Sequence, residues 1–258
     1  MVKCSQFMGY RINALPLSQL KAFCAQRIQF PSQDNIVFSC ANPHALAVAE
    51  TNANFRKALE NSDLLVTDGV GVSIIGNLLG VNIGPRITGS DFFTALMEHQ
   101  NTLITERITR VYFFGSSQKV LNLMKINLER LYPNLEICGY TSPPYGTWSE
   151  SENSQFVARI NAAKPDILWV GMTAPKQELW TFNNRHKLAV SVIGNVGAVF
   201  DFCAGTYERA PEWARKNGLE WLVRLWKEPK RMWKRNFISP IIFILAAVRF
   251  RFKKTIES

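Results

Sequence analysis

Asp68 is the residue of this sequence best placed to do chemistry. It closes the stretch Asp63-Leu64-Leu65-Val66-Thr67-Asp68 and is followed by Gly69-Val70-Gly71. The apolar run Leu64 to Val66 predicts a strand buried on both faces, and Gly69 and Gly71 then turn the backbone toward the amphipathic run Val70 to Leu79. Asp68 therefore falls at the carboxyl end of a strand, the edge of an open α/β sheet where loops and helix N-termini converge on ligands. There it can take a proton from an attacking hydroxyl. An Asp at a strand-to-helix turn can equally cap the helix, and the stretch alone supports both roles.

A second polar cluster, Gly171-Met172-Thr173-Ala174-Pro175-Lys176-Gln177-Glu178, follows another apolar run, Ile167 to Gly171. It should face the same crevice as Asp68, Asn42 and Arg86. One carboxylate, an arginine, two amide side chains and helix N-termini suit group transfer from a phosphorylated donor, with arginines and helix dipoles meeting the charge of the leaving phosphate. No D-x-D pair follows a strand, and His44, His99 and His186 lack ligand spacing, so no metal site is expected.

The elements that must position these groups alternate. Strands are expected at Ile36 to Cys40, Leu64 to Thr67, Val111 to Gly115, Leu135 to Gly139, Ile167 to Gly171 and Val190 to Gly194. Helices are expected at Leu17 to Ile28, from Pro43 through Ala53, at Phe92 to Gln100, Lys119 to Leu131, from a Ser149/Glu152 capping box through Ala163, and from Lys176 to about His186. This order predicts an α/β fold: a Rossmann-like, mostly parallel sheet flanked by helices, over residues 1–205. Residues 206–258 read as a helical, basic C-terminal appendage.

Bulk properties restrict the partners. The chain has 258 residues, 47% of them hydrophobic, and a net charge of +10. From Leu219 onward ten Lys or Arg stand against three Glu, a net +7. Such a segment calls for nucleic acid, phospholipid headgroups or a pyrophosphate. Residues 211–235 also hold Trp213, Trp221, Trp226 and Trp233, four of the seven tryptophans. The apolar run Ile241 to Val248 is far shorter than the roughly 20 residues a spanning helix needs. Tryptophan with Lys and Arg beside a short apolar run suits a headgroup-level surface, while a packed helical subdomain is the alternative. The first 15 residues lack the continuous apolar core of a secretory signal, so a cytosolic location is expected. Five scattered cysteines without a C-x-x-C pair argue against disulfides and zinc.

Two rival readings are weaker. Gly69-x-Gly71 begins a dinucleotide fingerprint, but Ile74 stands where the third Gly or Ala is required, which argues against an NAD-binding oxidoreductase. Basic residues interleaved with aromatics could stack nucleic-acid bases, yet that function has no use for Asp68, the second cluster or the apolar run.

Six segments in order, Asn42-Pro43, Thr67-Asp68-Gly69, Arg86-Ile87-Thr88-Gly89-Ser90-Asp91, Pro175-Lys176-Gln177-Glu178, Phe200-Asp201 and Arg209-Ala210-Pro211-Glu212-Trp213 with Gly218-Leu219-Glu220-Trp221, closely resemble the WecG/TagA/CpsF glycosyltransferases. The resemblance runs from about Ile36 to Arg235. It implies a UDP-sugar donor, a polyprenyl-pyrophosphate-linked sugar as acceptor, no cofactor, and a peripheral place on the cytoplasmic face of a bacterial plasma membrane, in surface polysaccharide or teichoic acid synthesis. It implies no nucleic-acid partner, and a homo-oligomer is compatible with it.

By motif, Asp68 resembles the family's general base, and Asn42, Arg86 and Gln177 its pocket residues. Asp201 matches a nucleoside-contacting position, and Arg224, Arg231 and Arg235 match tail arginines that grip pyrophosphate. The chain departs from the pattern at Cys40, where a hydroxyl is usual, and at Thr173, Asn195 and Ala198, where glycine is usual. These departures surround the implied donor pocket and bear on which sugar is taken. The expected reaction is inverting and metal-independent, with Asp68 deprotonating the acceptor hydroxyl.

Overall fold

The computed structural model describes residues 4–103, 107–217 and 219–256, without the side chains of residues 215, 216, 224, 231 and 253–256. Eight strands run in chain order as β1 (Cys4–Phe7), β2 (Tyr10–Asn13), β3 (Ile36–Ala41), β4 (Leu64–Thr67), β5 (Thr109–Gly115), β6 (Leu135–Thr141), β7 (Ile167–Gly171) and β8 (Val192–Asn195). The last six form one sheet in the order β4-β3-β8-β7-β5-β6, with every pair parallel. Strands β4, β7 and β8 are buried at every residue. That explains why they read as continuous apolar runs: helices cover both faces of a parallel sheet. The α/β, Rossmann-like expectation holds.

Three local features were not foreseen. The N-terminal segment forms an antiparallel hairpin, β1 with β2, and lies along the outer side of β4. Buried Asn13 accepts a hydrogen bond from the Leu65 N–H at 2.8 Å, so the hairpin satisfies a group that an edge strand would otherwise leave open. The helix expected from Pro43 through Ala53 is two helices, Pro43–Thr51 and Ala53–Glu60. Asn52 divides them because its side chain caps the second helix through the Phe55 N–H at 3.0 Å. The last strand begins at Val192 rather than Val190, since the Ser191 and Val192 N–H groups both turn to the Asp166 carbonyl.

The core lies on both sides of the sheet. On one face Phe38 and Phe92 stack with centroids 3.9 Å apart and Trp169 packs on Phe93 at 4.8 Å. The other face, toward the hairpin, gathers Phe7, Tyr10, Phe55 and Leu65 with Phe243, Ala246 and Ala247 of the final helix, Ser239–Ile256. This helix packs chiefly on Pro43–Thr51. Its sequence is apolar nearly all round. Phe243, Ala246 and Ala247 are buried, while Ile241, Ile244, Leu245, Val248 and Phe252 form an exposed stripe at helical spacing. The four tail tryptophans are exposed as well, from 46% for Trp221 to 89% for Trp226. Gly218 and the side chains of Arg224 and Arg231 lie outside the described residues.

Candidate active site

Parallel strands deliver all their carboxyl ends to one edge, where β4, β3, β8 and β7 stand side by side. Asp68 follows β4 and is half-buried, with its N–H donating to the Ala41 carbonyl at 2.9 Å. The helix Val70–Leu78 takes Gly69 as its N-cap, at φ +101°. Only glycine holds that conformation without strain, and a Cβ would meet the Pro43 ring at 3.4 Å. The capping position thus belongs to Gly69, and Asp68 stands one residue outside it.

Asn42 follows β3 and caps Pro43–Thr51, its Oδ1 accepting from the Ala45 N–H at 2.9 Å. Its contact with a ligand therefore falls to Nδ2. Arg86 is carried by a loop tied to the end of β4: the Ile87 N–H donates to the Thr67 carbonyl at 2.9 Å and the Thr67 hydroxyl to the Pro85 carbonyl at 3.4 Å. At the base of this loop Gly84, φ +72°, lies so close to Ala14 that a Cβ would come within 2.5 Å of backbone. The hairpin strap and the loop thereby hold the backbone on both sides of Arg86 to Thr67, the residue before Asp68. Arg209 fastens the far end of the loop, reaching Asp91 Oδ1 at 2.9 Å and Thr88 Oγ1 at 3.3 Å. Burial alone would raise the Asp91 carboxyl, but hydrogen bonds from Arg209 and Thr88 hold it below the usual carboxylate range. Thr88 and Asp91 also close a capping box on the helix Gly89–Thr102.

Gln177, in the helix Lys176–Asn184, joins β7 to β8. Its Oε1 accepts from the Met172 N–H at 3.2 Å and the Gly197 N–H at 3.1 Å, and its Nε2 donates to Glu178 Oε1 at 2.8 Å. One Nε2 hydrogen is left for a ligand. Beneath it buried Asn195 accepts from Thr181 Oγ1 at 2.8 Å and donates to Ser39 Oγ at 3.0 Å, which binds β8 to β3. The asparagine that replaces a usual glycine is thus part of the floor of the crevice. The Cys40 thiol is pushed well above its ordinary range by burial, and the charges of Asp68, Glu178 and Asp91 add to that. It is a neutral wall group, with no thiolate character.

Asp201 lies in the short helix Val199–Ala204 after β8. It lines a pocket of about 230 Å³ with Val120, Ala198, Phe202, Tyr207 and Glu228. Glu228 belongs to the appendage, so the tail supplies part of this pocket's wall. Arg235, the one tail arginine of the three whose side chain is among the described residues, lies within electrostatic reach of both His44 and Glu178. His44 in turn contacts Ser239 of the final helix at 2.8 Å.

Sequence reasoning overlooked Glu178 and Arg209 as individual residues. Glu178 is 5% exposed, and burial pushes its carboxyl up from 4.5 to about 7 against the hydrogen bonds from Gln177 and its own N–H and the charge of Arg235. Its position in the first turn of a helix looked in sequence like an ordinary macrodipole acid; burial, the informative fact, has no local signal. Among the described residues no three His, Cys, Asp or Glu side chains gather into a metal-binding group.

The sequence is similar to those of known proteins. Residues 5–257 match the profile described as "Glycosyl transferase WecG/TagA/CpsF family". A protein of Bacillus spizizenii named N-acetylglucosaminyldiphosphoundecaprenol N-acetyl-beta-D-mannosaminyltransferase is 30% identical, over 78% of this chain and 74% of its own. Proteins of the same name are 29% identical in Bacillus subtilis, over 85% of this chain and 82% of theirs, and 26% identical in Staphylococcus aureus, over 92% and 89%.

The His44 ring, which joins the final helix to the crevice, supplies a pH test. Burial, and then the charge of Arg235, lowers it from 6.5 to about 4. The unfolded chain takes up this proton near 6.5 and the folded chain only near 4, so stability is full above pH 6.5 and is lost as pH falls toward 4. His44→Gln should flatten that part of the melting-temperature profile. An unchanged acid-side slope would remove His44 as its source.

Proposed function

The chain belongs to the WecG/TagA/CpsF family of glycosyltransferases, and on that premise we propose that it moves an N-acetylhexosaminyl residue from a UDP-sugar to the sugar of a polyprenyl diphosphate, with inversion and without a metal ion. The observation that carries this reading is the half-buried Asp68 at the carboxyl edge of the sheet, outside the helix cap and flanked by Asn42 and the loop of Arg86. In the proposed reaction the Asp68 carboxylate accepts the proton of the acceptor hydroxyl as that oxygen forms a bond to the anomeric carbon. The bond from that carbon to the diphosphate oxygen breaks, and UDP leaves. A β-linked product, as in the relatives' names, from an α-linked donor corresponds to one displacement. Arg86 and Arg235, with the helix N-termini at Pro43 and Lys176, offset the charge on the leaving group. The Asp201 pocket suits the nucleoside.

Asp68→Asn should lower turnover by roughly 10² to 10⁴, the usual value of a positioned base, with little change in melting temperature. Near wild-type turnover in the folded variant would make Asp68 structural. In the same assay, wild-type turnover of a UDP-sugar panel on a prenyl-diphosphate acceptor should persist in EDTA; loss restored by Mg²⁺ would overturn the metal-free step.

The appendage serves in this reading as a peripheral membrane dock. No helix among the described residues is long and apolar enough to cross a membrane. The outward stripe of the final helix together with exposed Trp226, Trp233 and Phe237 forms an apolar face set among basic residues, which suits burial in an anionic headgroup layer. Val70, Ile74 and Leu78, exposed along the helix that starts beside Asp68, extend that apolar surface toward the crevice, where the polyprenyl chain must leave. Replacing Trp226, Ile241 and Phe252 together by Ser should reduce binding to anionic vesicles more than tenfold, because each inserted side chain contributes on the order of 1.5 to 3 kcal/mol when fully buried. The melting temperature should be retained, since all three are exposed. Unchanged vesicle binding would reject the dock.

A further inference from the structure

Glu178 makes only half of the contacts its position requires. Its Oε1 is held by Gln177 Nε2 at 2.8 Å, and Gln177 is itself fixed by two backbone N–H groups of the β7 and β8 turns. Its Oε2 is buried and accepts no hydrogen bond. A buried acceptor left without a donor is costly, more so for a carboxylate, and each one in a native structure calls for a physical account. The macrodipole of its own helix does not remove the need: dipole interactions act equally on an exposed acid, and this one is 5% exposed.

The surroundings specify what would complete it. Asp68 follows β4 and Glu178 follows β7, which lie on opposite sides of β3 in the sheet order, and the charge of each reaches the Cys40 thiol. Arg235 lies within electrostatic reach of Glu178 without being the hydrogen-bond partner of Oε2. An acceptor within electrostatic reach of a cation fits a ligand with a hydroxyl or amide N–H a short distance from a phosphate. A glycosyl diphosphate has that layout.

We infer that Glu178 is a substrate-binding residue whose Oε2 accepts a hydrogen bond from the sugar of a glycosyl diphosphate while the adjoining phosphate lies toward Arg235. This assignment rests on the glycosyltransfer reading above. Both substrates carry a sugar on a diphosphate, so the chemistry is shared and the two sources are separated by experiment. Gln177 holds the carboxylate through Oε1 and leaves Oε2 without a protein donor, which gives the Gln-Glu pair one joint task.

The test uses the full chain with Glu178→Gln, which preserves shape and removes the charge, and Glu178→Ala, which removes the side chain's reach. KM is measured separately for UDP-N-acetylhexosamine and for a short-chain prenyl-diphosphate N-acetylglucosamine, with UDP alone as a competitive inhibitor and the melting temperature as a control. A lost charge-assisted contact should raise one KM about tenfold or more in both variants, while the UDP inhibition constant stays at the wild-type value. A rise confined to the UDP-sugar assigns the donor; a rise confined to the prenyl-linked sugar assigns the acceptor. Both KM values within about twofold of wild type, or an equal loss for UDP alone, would overturn the proposal. Wild-type enzyme inactive on every sugar pair would instead overturn the glycosyltransfer reading, a result distinct from an active wild type with indifferent variants.

Discussion

The uniform direction of six strands is the constraint from which the site follows. In a parallel sheet every strand must be rejoined by a crossover, so the carboxyl ends and the helix N-termini gather at one edge. Asp68, Asn42, Gln177 and the turn before Asp201 come from four different strand ends. No two of them are neighbours in sequence, and reversing one strand would carry its residue to the opposite edge of the sheet.

That edge has a structural cost of its own, because strand ends present polar backbone in a place that must also stay open to ligands. Side chains carry out the repair. Gln177 satisfies the Met172 and Gly197 N–H groups, Asn195 links Thr181 to Ser39, and Asn42 caps its helix. Several residues that resemble a family's binding set are therefore also braces, and substitution at Gln177 or Asn42 mixes lost binding with lost support. Asp68 is the residue at which the two effects separate best, since Gly69 occupies the N-cap position.

The appendage meets the core through its final helix as well as through Arg209, and that helix leaves its other surface uncovered. Phe243, Ala246 and Ala247 pack against Pro43–Thr51 and the hairpin, and the opposite stripe remains exposed. The same helix begins beside His44, whose ring meets Ser239 and feels Arg235. Attachment to the core and approach of a cation to the crevice are thus one piece of packing.

Sequence by itself determined the alternation of strands and helices, the parallel class, the strand-end places of Asp68 and Gln177, and the concentration of charge and tryptophan in the tail, because these are carried by periodicity and local turn chemistry. The capping box at Ser149 and Glu152 is a case in which the local signal was complete. Tertiary structure alone decided the rest. The hairpin β1–β2 lacks a pattern of its own, being defined by what it covers, and the division at Asn52 depends on which helix that side chain caps. Ile241 to Val248 reads as one apolar run, and only packing separates its buried stripe from its exposed one. Glu178 is the sharpest instance. Next to Gln177 in sequence it is one more acid in a first helical turn, and its burial, raised carboxyl and open oxygen arise from residues distant in the chain that exclude water from around it.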